Sequence, residues 1–476
     1  MTHHITLSRL SRSSLCALPL ALLLATGCGQ SQGQVTATNS SAEADEPSRR
    51  PSAKDMLEAT APDYVSPAGI RQECLGRLVF DLAGPIEWPT FYNADEPIFN
   101  HTFSKRVFDR GDEMKFGDTH IAVIGPSNPA LVKDVLHLTP FIRIETLKEE
   151  IKELRADIVT LNNSNSDTPK RARYLKEAEE EIRRLDKRIK EDGEKYKIFN
   201  TGLPNSEAYW AKEVNRWGNS TYNSIFKAYL MRENYIYVFE SDREVKDAAE
   251  QEKHKQNFLK LLKNFRVRQP NEIPTELGVC IPHGFIPDDG TTFSEFKQSL
   301  RWPDAHGVLY TIHTGNVESH RMKVPAMLAA IRAGLGTFGS EEEKKINALV
   351  KERIGPRPYK IGGLTGEQGG FVLNIHRTHR EESQPFTKTI SIPLKKKDHE
   401  KYEVYSVFTG YSGWLATAVL PYILVELNTL HKHQAAELKQ NPPPFKQSKP
   451  RLELLLKSMR LRPTNPLMPE LVDLPK

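Results

Sequence analysis

Cysteine is scarce in this sequence, with four in 476 residues. That scarcity excludes a disulfide-dense scaffold and the clustered thiolates of a structural zinc site. Long hydrophobic runs are scarce as well. Beyond the N-terminus the strongest, Trp414 to Leu427, holds only about a dozen apolar residues and contains Pro421, against the roughly 20 a membrane span needs. It reads as a buried helix or a strand followed by a helix. Charge of one sign is missing too: 66 Lys and Arg face 61 Asp and Glu, for a net +5. With no basic stripe to track a phosphate backbone, nucleic acid is excluded as a partner.

Catalytic motifs are equally thin. No His-Glu-x-x-His, phosphate loop or close acidic pair is present. Gly334-Leu335-Gly336-Thr337-Phe338-Gly339 fits a dinucleotide fingerprint in letters, but a helix precedes it where a strand is required. Its glycines more simply end that helix, and Ser340 with Glu343 opens the next as a capping box. Gly410-Tyr411-Ser412-Gly413-Trp414 starts like a nucleophile elbow and ends on Trp in place of Gly, which leaves Ser412 as a serine in a turn. His376 and His379 lack a neighbouring carboxylate or thiolate ligand and read as solvated histidines. No cofactor, metal or catalytic residue is therefore assigned.

What is present begins at the N-terminus. Arg9 and Arg12 precede an apolar run from Leu15 to Ala25. As a helix that run spans about 16 Å, half a bilayer core, which suits a signal peptide and not an anchor. Ala25-Thr26-Gly27-Cys28 resembles the bacterial lipobox, with Ala25 where Leu is commoner. The resemblance implies cleavage after residue 27 and lipidation of Cys28. Gly29 after the cysteine implies, by the same resemblance, the periplasmic face of the outer membrane. Two or three acyl chains anchor firmly. Removing residues 1–27 takes away Cys16 and two arginines and leaves a charge of +3. Cys74 and Cys280 remain, either as a candidate disulfide in an oxidising compartment or as two buried small side chains, each at the start of a strand.

Residues 28–67 are rich in Ser, Thr, Ala, Glu and Pro and read as a flexible tether. Two α+β domains are expected after it, at 68–272 and 273–476. Strands are expected at Cys74–Leu82, His120–Ile124, Tyr235–Phe239, Val279–Ile286, Gly307–His313 and Tyr402–Phe408. Helices are expected at Arg243–Phe265, Pro325–Ala333 and Glu341–Lys351. Gly218-Asn219-Ser220 marks a hairpin.

Ile144, Leu147, Ile151, Leu154, Ile158 and Leu161 step by 3 and 4, as do Leu175, Ala178, Ile182, Leu185 and Ile189. Charged residues fill the other positions. The pattern predicts an antiparallel coiled-coil hairpin over 144–192, its first arm about 27 Å long. Asn162, Asn163, Asn165 and Asp167 at its turn are candidate partner contacts.

A duplication ties the halves together. Leu261-Leu262-Lys263-Asn264-Phe265-Arg266-Val267-Arg268 aligns without a gap on Leu455-Leu456-Lys457-Ser458-Met459-Arg460-Leu461-Arg462. Each copy opens with a strand carrying a cysteine and places an aromatic strand before its last helix. A repeat this long means two tandem, duplicated α+β domains, not a solenoid.

Tyr359 to Gly370 is the remaining unusual stretch, with glycines suited to tight turns or to close approach of another backbone. Its Gly363-Leu364-Thr365-Gly366-Glu367, together with Cys74-Leu75-Gly76-Arg77 and Ser458-Met459-Arg460-Leu461-Arg462-Pro463, resembles a family of two-domain immunity proteins. That family protects bacteria from lipase and phospholipase effectors of the type VI secretion system. The resemblance covers roughly residues 70 to 465. It implies a non-enzymatic inhibitor in the periplasm whose two domains form a claw on the cap of an α/β-hydrolase effector. Gly76, Arg77, Gly363, Gly366, Glu367, Arg460 and Arg462 are the signature positions, with the glycines read as structural turns. The alternatives are a periplasmic lipoprotein hydrolase and a structural envelope-assembly lipoprotein.

Overall fold

The computed structural model describes residues 51–88, 113–125, 140–163, 169–214, 221–316, 349–378, 399–414, 417–430, 432, 438–472 and 474. The signal peptide, Cys28, Asn165, Asp167, residues 218–220, 325–333 and 334–339 and His379 lie outside them.

Elements of the first half are α1 (Ala53–Ala59), β1 (Arg71–Leu75), β2 (Leu78–Leu82), β3 (Glu113–Phe116), β4 (Thr119–Ile124), α2 (Pro140–Asn162), α3 (Pro169–Lys195), β5 (Tyr196–Ile198), β6 (Ser206–Val214), β7 (Tyr222–Arg232), β8 (Tyr235–Val245), α4 (Ala248–Asn264) and β9 (Arg266–Val267). The second half supplies β10 (Gly278–Ile281), β11 (Gly284–Pro287), β12 (Ser294–Leu300), β13 (Val308–Gly315), β14 (Val350–Ile361), β15 (Leu364–Thr378), β16 (His399–Tyr411), β17 (Tyr422–Thr429), α5 (Phe445–Ser458), β18 (Arg460–Leu461) and α6 (Pro469–Val472).

Twelve strands form one antiparallel sheet in the order β14-β15-β16-β17-β13-β12-β3-β4-β8-β7-β6-β5. The halves meet where Phe296 of β12 pairs with Met114 of β3. Outward from that seam, each half adds its strands in the same chain-relative order. A mixed α+β architecture results, as the alternation of strands and helices predicts.

One face of the sheet carries the main core. Phe226, Tyr237 and Phe239 from the first half join Phe296, Tyr310 and Val425 from the second in a single apolar cluster. α4 lies on this face because His254, Phe258 and Leu262, four residues apart, share one side of the helix. Asp247 caps it by accepting from the backbone N–H groups of Ala249 and Glu250. α5 buries Leu452, Leu455 and Leu456, and Tyr310 and Tyr405 both hydrogen-bond to its Ser448.

Several expected elements are redrawn. The strand expected over Cys74–Leu82 is a hairpin, β1 against β2, because Gly76 turns the chain at φ +58°. Val279–Ile286 is likewise a hairpin, turned at His283 with φ +56°. A helix expected to reach Lys351 gives way to β14 from Val350. Within Trp414–Leu427 the ordered element is β17, buried along its whole length; neighbours on both edges favour its β-branched Ile423 and Val425 as strand. The α4 helix starts later than Arg243 because β8 continues to Val245. Residues 51–67, expected as tether, include α1 with a Ser52–Asp55 capping box.

The glycine run is not a loop. Gly362 and Gly363 make the turn between β14 and β15, and Gly366, Gly369 and Gly370 sit in β15 itself. Close backbone approach explains two of them: a Cβ on Gly366 would lie 2.1 Å from the Gly410 carbonyl oxygen, and one on Gly370 2.2 Å from that of Ser406.

Candidate functional site

Two short hairpins, β1-β2 and β10-β11, lie against each other where the halves join. Each takes its third strand from the other half's closing segment. β18, at the end of the second half, pairs with β2; β9, at the end of the first, pairs with β11. The exchange is reciprocal. Gly76 and Cys280 trade both backbone hydrogen bonds at 2.8 Å, and a disulfide links Cys74 to Cys280. Both cysteines are fully buried.

Arginines from the repeated motif fill this joint. Arg268 places its guanidinium 2.6 Å from Glu73 and donates to the carbonyls of Gly284 and Glu272. Arg462, its counterpart, donates to the carbonyls of Pro274, Glu276 and Gly278. Burial, reinforced by nearby Arg77 and Arg268 and opposed by Glu276, pushes Arg462 down to about 10. Arg77 donates to Asp288 at 2.7 Å and to Ser294 Oγ at 3.1 Å. Its burial lowers its pKa against the pull of Asp288 and Glu470. Arg460 sits 3.6 Å from fully buried Asp81 and 5.1 Å above the Tyr64 ring. Tyr64 also donates to Asp81; burial and that carboxylate raise its pKa to about 12.

Four signature positions, Gly76, Arg77, Arg460 and Arg462, therefore meet in one place. Gly363 adjoins it: Gly362 donates to the Leu456 carbonyl at 2.8 Å, and a Cβ on Gly363 would lie 2.1 Å from the Glu58 carbonyl oxygen. Glu367 lies further along β15 opposite Gly410, away from this cluster. Next to it, buried Gln368 accepts from Arg357 and donates to Thr409. The carboxylates Glu73, Asp81 and Asp288 escaped sequence reasoning, since nothing in their local spacing marks them. Arg268 was visible through its alignment with Arg462.

The arrangement holds the two halves together. A cavity beside Arg77, lined also by Gly76, Ser294, Phe296 and Thr314, measures about 10 Å³, the space of one water. Among the described residues no group of three His, Cys, Asp or Glu is placed to hold a metal. Ser412 lies just past β16, half-buried.

The second candidate feature is the helix pair. α2 and α3 pack through Leu147, Ile151 and Leu185, with Leu154, Ile182 and Ile189 alongside. The cluster is separate from the main core. Asn162 and Asn163 are exposed at the far end of α2.

Residues 272–464 match the model for the Tle cognate immunity protein 4 C-terminal domain. No curated protein matches the sequence. Among solved structures, the apo immunity protein TplEi of the type VI secretion system from Pseudomonas aeruginosa has 16% identity and a TM-score of 0.43, covering 83% of this chain and 98% of its own. The Tle4-Tli4 complex gives 16% identity and a TM-score of 0.43 over 84% of this chain and 100% of the other. At those values neither likeness bears on the reading of this chain. Residues 272–464, about two fifths of the chain, are thus similar to the C-terminal domain of Tle cognate immunity protein 4.

Proposed function

We propose that the protein is an immunity protein that binds a lipase or phospholipase effector of the type VI secretion system, blocks its active-site entrance and catalyses no reaction itself. The match of residues 272–464 to the immunity-protein domain carries this reading. The signature arginines support it, because Arg77 and Arg462 donate to the chain's own carboxylate and carbonyls. The reciprocal strand exchange ties the two halves together, which suits a preorganised binder.

The same proposal extends to the finer features. The matching strand order of the two halves supports a duplication, and the apolar cluster between α2 and α3 supports a coiled-coil hairpin. The polar turn from Asn162 to Pro169 and the inter-domain surfaces are the effector contacts in this reading. Lipidated Cys28 would station the binder at the periplasmic face of the outer membrane, in the path of the effector.

Co-purification with a candidate lipase, and loss of that lipase's activity in a one-to-one mixture, tests the proposal. A lipase that stays fully active with the chain in excess sinks it. So does lipid hydrolysis by the purified chain that Ser412→Ala abolishes.

A further inference from the structure

Among the described residues, α2 and α3 pack on each other, and α3 also touches β5 and β6. α2 alone is about 34 Å long at 1.5 Å per residue. The seam is buried near the base, at Leu147 and Leu185, and only half-buried near the far end, at Ile158, Leu161 and Leu175.

That far end has its own chemistry. Arg171-Ala172-Arg173-Tyr174-Leu175-Lys176 holds three cations and no acid. Arg173 and Lys176 are 75% and 77% exposed, with partners Glu177 at 3.3 Å and Glu180 at 4.0 Å. These pairs are exposed, weak and screened by salt, so both cations stay open to a competing phosphate. Arg171 crosses to the other helix and donates to the Asn162 carbonyl. Two apolar side chains also face solvent here, Val159 at 59% and Tyr174 at 45% exposure. Both lie within two turns of the helix ends.

We infer that the free end of this arm docks on an anionic bilayer surface, the cations meeting lipid phosphates while Tyr174 and Val159 enter the headgroup layer. Clustered Lys and Arg on an amphipathic helix are drawn to anionic lipid, and tyrosine settles at the water–lipid boundary. This basic stretch is distinct from the polar turn assigned to the effector above: packed interfaces have apolar centres depleted in charge, whereas here the two apolar side chains stand singly among cations. The inference does not rest on the function proposed above. Joined to it, the arm would place the binder on the same lipid surface that a phospholipase attacks.

The test is co-sedimentation of the full chain with phosphatidylcholine vesicles, with and without phosphatidylglycerol. Binding should rise at least about tenfold on the anionic vesicles at low salt and fall as salt screens the cations. Arg173→Glu with Lys176→Glu should return it to the neutral-vesicle level, while Val159→Ser with Tyr174→Ser should weaken it and keep the salt dependence. The N-terminus is common to every variant, so any acyl anchor cancels. Should charge reversal lower helix content, Arg173→Gln with Lys176→Gln supplies the same readout. Equal wild-type binding to both vesicle types overturns the inference. It is also overturned if the charge-reversed arm releases a lipase partner while vesicle binding is unchanged.

Discussion

The backbone N–H of Arg462, near the end of the chain, donates to the carbonyl of Arg77 in the turn of the first hairpin at 2.8 Å. Its side chain satisfies three carbonyls of the other hairpin's approach. Arg462→Ala should leave those carbonyls without a donor and cost about 3 kcal/mol, read as a lower midpoint in urea unfolding. Arg462→Lys should recover only part, because an ammonium cannot span the same fork of acceptors.

Cys74 and Cys280 cross the same joint and stand 206 positions apart in sequence. Replacing both with Ala should lower stability by about 2–5 kcal/mol. Because both sulfurs are buried, reductant should leave the folded protein's disulfide intact and act only when denaturant opens the joint. Thiol labelling across a denaturant series checks both statements.

Gly363 should tolerate no side chain. A Cβ there meets the Glu58 carbonyl oxygen at 2.1 Å, so Gly363→Ala must push α1 away from the turn. A loss of about 1–3 kcal/mol is expected, together with new protease cutting in residues 51–67. Gly366→Ala should cost as much without exposing α1, since it strikes Gly410 instead.

Acid should weaken the fold through two histidines. Burial, with Arg243 adding to it, holds His254 at about 4, and burial, with Arg268 and Arg71 adding to it, holds His283 at about 4. Both folded values lie below the ordinary 6.5, so the unfolded chain binds more protons between the two. Stability is then full above pH 6.5 and falls toward pH 4. Thermal midpoints measured across that window should show a slope that His254→Asn and His283→Asn each reduce. Asn at 283 keeps the left-handed turn accessible.

The second half should not fold alone. Residues 273–476 contain β18, whose partner β2 lies in the first half, and leave β11 without β9. Expressed separately, this segment should be aggregation-prone, an edge problem that the partner half relieves. Co-expression with residues 51–272 should yield a soluble two-piece complex. A monomeric, cooperatively unfolding second half would refute this.

Much of the fold was legible in local pattern. The 3-4 spacing of Ile144 to Leu161 located α2, and the aromatic runs Tyr235–Phe239 and Tyr402–Phe408 located β8 and β16, because helix and strand periods are written in neighbouring residues. The hairpins around Gly76 and His283 were harder, since a single left-handed residue decides between one strand and two. His283 carries no such signal in its residue type. Gly366 and Gly370 gave a composition signal whose meaning depended on strand β16, distant in sequence.

By itself the sequence determined the periodic elements and the repeated arginine motif. It also supplied the pair of cysteines. Only the tertiary structure decided that the two halves exchange closing strands, that Cys74 meets Cys280, and that Arg268 and Arg462 face Glu73 and a ring of carbonyls. The physical reason is range: propensity and hydrophobic period act over a few residues, whereas a buried guanidinium or an unpaired strand edge must find its partner wherever the chain brings one.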